Sequence, residues 1–73
     1  MKEIIEVLNE VKEGVDFENE KNLITDGILT SFDLIMLISS LNNKFGVNIT
    51  AAELVPENFE SVEAIKKLID SLK

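Results

Sequence analysis

Apolar residues recur at helical spacing in three stretches of the chain, and polar residues separate them. In the first stretch, residues 2 to 12, Glu3, Glu6 and Glu10 lie on one side and apolar side chains on the other. The apolar positions are Ile4, Val7, Leu8 and Val11, with Ile5 at the edge of the face. Recurrence at every third or fourth position predicts an amphipathic helix. Gly14 can adopt the left-handed conformation that ends a helix.

The second stretch predicts a helix from Ser31 to about Phe45 that stops at Gly46. One sector of this helix is apolar and consists of Leu34, Leu37, Ile38, Leu41 and Phe45. Phe32 and Met36 fall on nearly the opposite side, where they would form an exposed apolar patch suited to a partner. For Phe32 a second interpretation stays open, in which its ring folds back under the preceding loop against Ile28 or Leu29.

The third stretch predicts a final helix that Ser61 caps. Its apolar face consists of Val62, Ile65, Leu68, Ile69 and Leu72. Before it, Thr50 can cap a brief turn through Leu54, and Pro56 fixes the start of another short turn. No stretch alternates as a strand would. The pattern therefore predicts an all-α fold in one domain, residues 1–73, with three main helices and one short helix in a small bundle.

A long polar loop joins the first and second predicted helices. It spans residues 15 to 29 and is rich in Asp, Glu and Asn. Its isolated apolar residues are Val15, Phe17, Leu23, Ile24, Ile28 and Leu29. A loop of this length in a small domain is usually functional or held by its own apolar contacts, and we expect both here.

Composition narrows the classes of partner. Fourteen acidic residues face seven lysines, with no arginine or histidine, for a net charge of -7. Such a surface repels nucleic acid and anionic membranes and attracts basic proteins, although acidity can also serve solubility alone. The chain has no cysteine, and its longest apolar run, residues 34 to 38, is far below the roughly 18 residues of a membrane span. Met1-Lys2-Glu3 does not begin like a signal peptide, so we expect a soluble, cytoplasmic monomer.

Candidate chemistry lies where the second helix begins. The segment Asp26-Gly27-Ile28-Leu29-Thr30-Ser31-Phe32-Asp33 places hydroxyl groups at a helix N-terminus. Free N–H groups and the helix dipole favour an anion there, so a phosphodiester on Ser31 would be stabilised. Thr30 can cap the helix, and Asp33 would complete a variant of the capping box. The plainer alternative is that Ser31 serves only as a cap.

This segment and the order of helices resemble the acyl carrier protein family. Residues 41 to 49 and 56 to 65 also look like such domains, and Leu29-Thr30-Ser31-Phe32 has some resemblance to aminoacyl carriers, including the D-alanyl carrier group. The resemblance implies that Ser31 bears 4′-phosphopantetheine, transferred from coenzyme A by a phosphopantetheinyl transferase. The thiol of that arm would hold an acyl or aminoacyl group as a thioester for loading and acyl-using enzymes with basic surfaces. Fatty acid biosynthesis, polyketide and amino acid pathways all remain open for the cargo.

One position departs from the family pattern. Carrier proteins usually have an aspartate directly before the modified serine, and this chain has Thr30. Asp26 and Asp33 lie close in sequence and could substitute for the missing charge. We therefore expect Asp26, Thr30, Phe32, Asp33 and Met36 to contribute to partner recognition.

Other functions find less support in the sequence. Asp16, Glu18 and Glu20 alternate like the start of a calcium loop, but Lys21 and Gly27 stand where an EF-hand needs glycine and glutamate. There is no phosphate-binding glycine loop, zinc ligand set or nucleophile–histidine pair, so we predict no metal site and no enzymatic activity. The rival function is an unmodified acidic interaction module, an adaptor or inhibitor with the same fold. A metal-buffering protein is a third alternative.

The pattern also predicts the centre of the core. Leu41 and Phe45 should be buried against Ile4, Leu8, Ile65 and Ile69. Truncating Phe45 to Ala would then cost roughly 3–5 kcal/mol.

Overall fold

The computed structural model describes residues 2–73, and these form three α-helices and no strand. The helices are α1 (Lys2–Val11), α2 (Ser31–Phe45) and α3 (Val62–Leu72), within an envelope of 28 × 22 × 20 Å. The predicted all-α class is confirmed. Within residues 2–73, no helix has the length and apolar character needed to cross a membrane.

The ends of α2 and α3 lie where the sequence predicts them. Thr30 caps α2, and Gly46 ends it in the left-handed conformation, with φ of 66° and its N–H donating to the Asn42 carbonyl at 3.0 Å. The Ser61 hydroxyl accepts from the Ala64 N–H at 3.1 Å and so caps α3. Helix α1 ends at Val11, and Gly14 has a φ of 84° in the turn that follows.

The segment between α2 and α3 has short turns at the two places where the sequence predicts them, after Thr50 and at Pro56, and neither turn is a regular α-helix. It contains two 3₁₀ turns, Ala51–Glu53 and Pro56–Asn58. Thr50 caps the first turn, with its N–H donating to the Glu53 carboxylate at 2.7 Å. Pro56 has no N–H with which to continue that turn, so the chain starts a second one.

The core draws on all three helices and on the segments that join them. Helix α1 packs against both α2 and α3. The buried apolar residues are Ile4, Val7, Leu8, Phe17, Leu23, Leu29, Leu37, Leu41, Ile49, Phe59, Val62, Ile65, Leu68 and Ile69. Three of these, Phe17, Leu23 and Leu29, come from the long loop, which is therefore held by its own apolar contacts as predicted.

The core differs from the prediction in the burial of Phe45. Leu41 is fully buried, whereas Phe45 is only half-buried at the last turn of α2. The Lys73 ammonium lies over the Phe45 ring, 5.5 Å from its centre. Phe45 closes the end of the bundle, and truncating it should cost less than the sequence pattern suggested.

Candidate functional site

Ser31 is the first residue of α2, and it is exposed. The capping box beside it uses two other residues. The Thr30 hydroxyl accepts from the Asp33 N–H at 3.2 Å, and the Asp33 carboxylate accepts from the Thr30 N–H at 3.0 Å. Because Thr30 and Asp33 satisfy the cap between them, helix α2 does not need the Ser31 hydroxyl to begin.

Asp33 is buried, and its carboxylate points toward α1. The Lys12 ammonium lies 2.9 Å from the same Asp33 oxygen that accepts the Thr30 N–H. Hydrogen bonding from the Thr30 N–H, and next from Lys12, holds the pKa of Asp33 below its ordinary value. Asp33 is therefore an ionised carboxylate engaged inside the protein. Its predicted part in partner recognition stays a prediction.

An apolar groove opens beside Ser31. It has a volume of about 240 Å³ and is lined by Ser31, Leu34, Ile35, Ile38 and Leu54. Apart from the serine, every lining residue is aliphatic. A group attached to the Ser31 oxygen would therefore have apolar side chains next to it, which favours contact with an alkyl chain over a charged ligand.

Helix α2 presents an exposed apolar face, which we define as Phe32, Ile35 and Met36. Their exposed fractions are 69%, 66% and 37%, which excludes the folding of Phe32 under the loop. These residues are spaced three and four apart, so they are neighbours on the helix surface. The sequence interpretation missed Ile35, although its spacing from Phe32 was a sufficient signal. It also missed Leu54, which lies 23 positions from Ser31 in the chain and meets it only in the folded protein.

Charge is nearly absent from helix α2. Helix α2 contains one acidic residue, the buried Asp33, and one basic residue, Lys44, in its last turn. Lys44 lies 3.7 Å from the Glu6 carboxylate of α1. Around Ser31, helix α2 and the groove therefore present apolar and hydroxyl-bearing side chains, in a protein whose net charge is -7.

The remaining predicted site residues lie in the long loop. Asp26 is exposed, and its N–H donates to the Asn22 carbonyl at 2.9 Å. The Asp16 carboxylate accepts from the Asn19 side chain at 2.8 Å, and the Glu20 carboxylate accepts from the backbone of Lys21 and Asn22. In residues 2–73 no three Asp, Glu, His or Cys side chains converge as a metal-binding group.

Glu60 ties the loop to the segment before α3. Its carboxylate accepts from the Ile24 N–H at 2.9 Å, from the Thr25 N–H at 3.0 Å and from the Thr25 hydroxyl. Its backbone carbonyl accepts from the Leu23 N–H at 3.0 Å. Hydrogen bonds from Thr25 keep the pKa of Glu60 below its ordinary value. The loop that leads to Ser31 is thus anchored at its middle.

Comparison with known proteins points to carriers. No family model matches the sequence. Aminoacyl carrier protein 1 of Bradyrhizobium diazoefficiens is 32% identical over 56 residues, which are 77% of this chain and 61% of the relative. The chain thus spans less than two thirds of that relative's length. The similarity supports a relationship to carrier proteins.

A solved structure shares the fold. A chain of a structure described as "Crystal structure of FAD-dependent dehydrogenase" aligns with a TM-score of 0.73 and 32% identity. The alignment covers 90% of this chain and 96% of that one, so the two chains are of similar length.

Proposed function

We propose that this chain is a carrier protein and that Ser31 is its attachment site for 4′-phosphopantetheine. The observation that carries the proposal is an exposed Ser31 at the first position of α2, next to a cap made by Thr30 and Asp33. The similarity to an aminoacyl carrier protein supports the same role. The contrary hypothesis, that Ser31 serves only as a cap, has to explain why Thr30 already performs that task.

The residues around Ser31 fit such a group. The Ser31 oxygen would bond to the phosphorus that carries the pantetheine in coenzyme A. The bond from that phosphorus to the adenosine bisphosphate half would break, and the serine proton would pass to a base of the transferase. The N–H groups at the start of α2 would stabilise the resulting phosphodiester. Leu34, Ile35 and Ile38 in the groove would contact the alkyl portions of the arm. When attached, the arm supplies a thiol that holds an acyl or aminoacyl group as a thioester. The chain has no cysteine and therefore no thiol of its own.

The proposed role is transport, with the chemistry done by other enzymes. Residues 2–73 contain no strand, and the common dinucleotide-binding folds are built on parallel sheets. The description of the similar structure names a dehydrogenase, but residues 2–73 lack the sheet on which such a dinucleotide-binding fold is built. We propose instead that enzymes load and use the carried group, and a flavin-dependent dehydrogenase is the first class of acyl-using partner to test.

Intact mass spectrometry tests the attachment directly. Purified protein is incubated with coenzyme A, Mg²⁺ and a transferase shown to modify another carrier. We expect the wild type to gain the mass of one phosphopantetheine and Ser31→Ala to gain none. Ser39→Ala is the matched control, because Ser39 is also an exposed serine of α2, and it should be modified like the wild type.

The outcome separates the two functions. Modification of Ser31→Ala, or no modification of the wild type by a proven transferase, would contradict the proposal. Failure of the wild type would favour the unmodified interaction module. Ser31→Ala should fold normally in either case, within about 0.5 kcal/mol of the wild type, because the residue is exposed and outside the cap.

The exposed apolar face gives a second test, directed at partner docking. We expect Phe32→Ser to raise the KM for modification by about tenfold, because an exposed ring that is buried only in the complex contributes its apolar area there. The folded protein loses little, since Phe32 is 69% exposed. Val55→Ser, at another exposed apolar residue, is the control. An unchanged KM for Phe32→Ser would show that the transferase does not use this face.

A further inference from the structure

Lys12 connects the end of α1 to both sides of Ser31. It directly follows the last residue of α1, and its ammonium donates to the Ile28 carbonyl at 2.8 Å. The same ammonium lies 2.9 Å from the Asp33 carboxylate. Ile28 precedes Ser31 by three residues and Asp33 follows it by two, so one side chain ties down the turn before the serine and the first turn of α2.

These contacts are unlike an ordinary surface ion pair. The side chain of Asp33 is 11% exposed and that of Lys12 34%, whereas exposed pairs contribute little because water competes for both partners. A carboxylate buried to this degree needs a compensating charge. Without Lys12, the Asp33 charge would stand unbalanced two residues from Ser31. It would oppose any second negative charge placed on that residue.

The helix packing does not by itself fix this turn. Leu37 and Leu41 of α2 are fully buried, and they lie in the second and third turns of the helix. Residues 28 to 30 before the helix have Leu29 as their buried side chain. The Ile28 carbonyl is held by Lys12. Lys12 therefore adds a polar contact to a turn that Leu29 also anchors in the core.

We propose that Lys12 is a positioning residue for the modification of Ser31. It holds the Ile28 to Ser31 turn in the conformation that presents the hydroxyl. It also balances the Asp33 charge, so that the start of α2 remains favourable for a phosphodiester. This inference rests on the proposed attachment of phosphopantetheine to Ser31.

Three variants and one matched control test the inference. Lys12→Met removes the charge and the donor, Lys12→Gln keeps a donor without the charge, and Lys12→Arg keeps both. Lys21→Met is the control, because Lys21 also joins the long loop to a carboxylate, Glu63, at 2.8 Å, but both side chains are exposed. For each protein the rate of phosphopantetheine addition is followed by intact mass at limiting substrate. Folding is checked by circular dichroism, and backbone amide shifts are recorded by NMR.

We expect kcat/KM for modification to fall about tenfold or more in Lys12→Met, because small displacements of a reacting group are costly. Lys12→Arg should recover most of that loss, Lys12→Gln less, and Lys21→Met should stay within about twofold of the wild type. Amide shifts in Lys12→Met should change at residues 28 to 33, and the pKa of Asp33 should rise because its cation is gone.

The outcomes distinguish failure of the Lys12 role from failure of phosphopantetheine attachment at Ser31. Wild-type rates in folded Lys12→Met would overturn the positioning role and leave the carrier function intact. A wild type that is not modified by a proven transferase would contradict the carrier function, and the inference would fall with it. If Lys12→Met does not fold, equal rates for Lys12→Gln and the wild type still overturn the part of the role that balances the Asp33 charge.

Discussion

At the scale of the residue, the start of α2 divides two tasks between adjacent hydroxyls. Thr30 makes the cap with Asp33, and Ser31 is exposed one position later. The departure of Thr30 from the usual aspartate of carriers therefore leaves the helix end intact. A threonine still accepts the hydrogen bond that the cap requires. What changes is charge, since the remaining carboxylate at this turn belongs to Asp33 and is paired with Lys12.

The Asp33 carboxylate predicts how stability depends on pH. Its pKa is lowered in the folded protein, so the unfolded chain binds more protons at acid pH and stability rises with pH there. The contribution of Asp33 is complete above its unfolded pKa of about 3.9 and is lost as the pH falls through the lower folded value. NMR titration of the Asp33 carboxyl carbon, with urea unfolding at pH 7 and pH 3, measures both quantities.

Asp33→Asn is the reference for that experiment. Its stability should fall less between pH 7 and pH 3 than that of the wild type, because it has no carboxylate to protonate at this site. A folded-state pKa for Asp33 at or above the ordinary value would contradict the hydrogen bond from Thr30 and the pairing with Lys12 that the structure shows.

At the scale of the element, the long loop is an ordered part of the fold. Phe17, Leu23 and Leu29 enter the core, and the Glu60 carboxylate accepts from the backbone of Ile24 and Thr25. The buried apolar side chains stabilise the loop, which has no regular helix of its own. The Glu60 carboxylate accepts hydrogen bonds from backbone N–H groups that a helix would otherwise satisfy. The middle of the loop, residues 23 to 25, is held by contacts with Glu60 in the segment before α3.

Removing the Glu60 anchor should loosen one stretch of the loop. In Glu60→Ala we expect the amides of Ile24 and Thr25 to exchange hydrogen about tenfold faster, because their acceptor is gone. The Leu23 amide is an internal reference, since it donates to the Glu60 backbone carbonyl, which the substitution retains. Glu57→Ala, at an exposed glutamate of the same segment, should leave all three rates unchanged. Equal exchange in the two variants would show that the carboxylate does not hold the loop.

Local signals in the sequence predicted the elements, and contacts between distant residues escaped them. Thr30, Gly46 and Ser61 act within a turn of the helices they end, so their roles can be inferred from neighbours in the chain. The contact of Lys12 with Ile28 and Asp33 joins residues 16 and 21 positions apart. Helical periodicity carries no information about such a pair. The groove was missed for the same reason, because Leu54 reaches Ser31 only through the packing of the connecting segment.

At the scale of the whole molecule, stability depends on a small core shared among all segments. Leu41→Ala should lower the free energy of unfolding by about 2–5 kcal/mol, since the side chain is fully buried. Phe45→Ala should cost only about 1–2 kcal/mol, because its ring is half-buried at the end of the bundle. Urea unfolding of both variants measures the difference, with exposed Ile35→Ala as the control. A larger loss for Phe45→Ala than for Leu41→Ala would reverse the assignment of the core.

Net charge and the apolar face of α2 would act at different stages of partner binding. The net charge of -7 attracts basic surfaces over a distance of about a Debye length, whereas Phe32, Ile35 and Met36 offer an uncharged contact. Salt should therefore affect the rate of association with a basic partner more than the lifetime of the complex. In the proposed function, acidity would attract basic partners, and the apolar face of α2 would select among them.

The absence of cysteine, tryptophan and tyrosine has an analytical consequence. A thiol reagent added to the unmodified chain finds no thiol, so if Ser31 bears the proposed arm, the colour that develops counts the arms one for one. Occupation of the arm by cargo would remove that colour, and release of the cargo would restore it. The chain also contributes almost no near-ultraviolet absorbance, so a coloured or fluorescent partner can be followed without correction. Thiol chemistry and absorbance would therefore report the state of the proposed arm without interference from the chain.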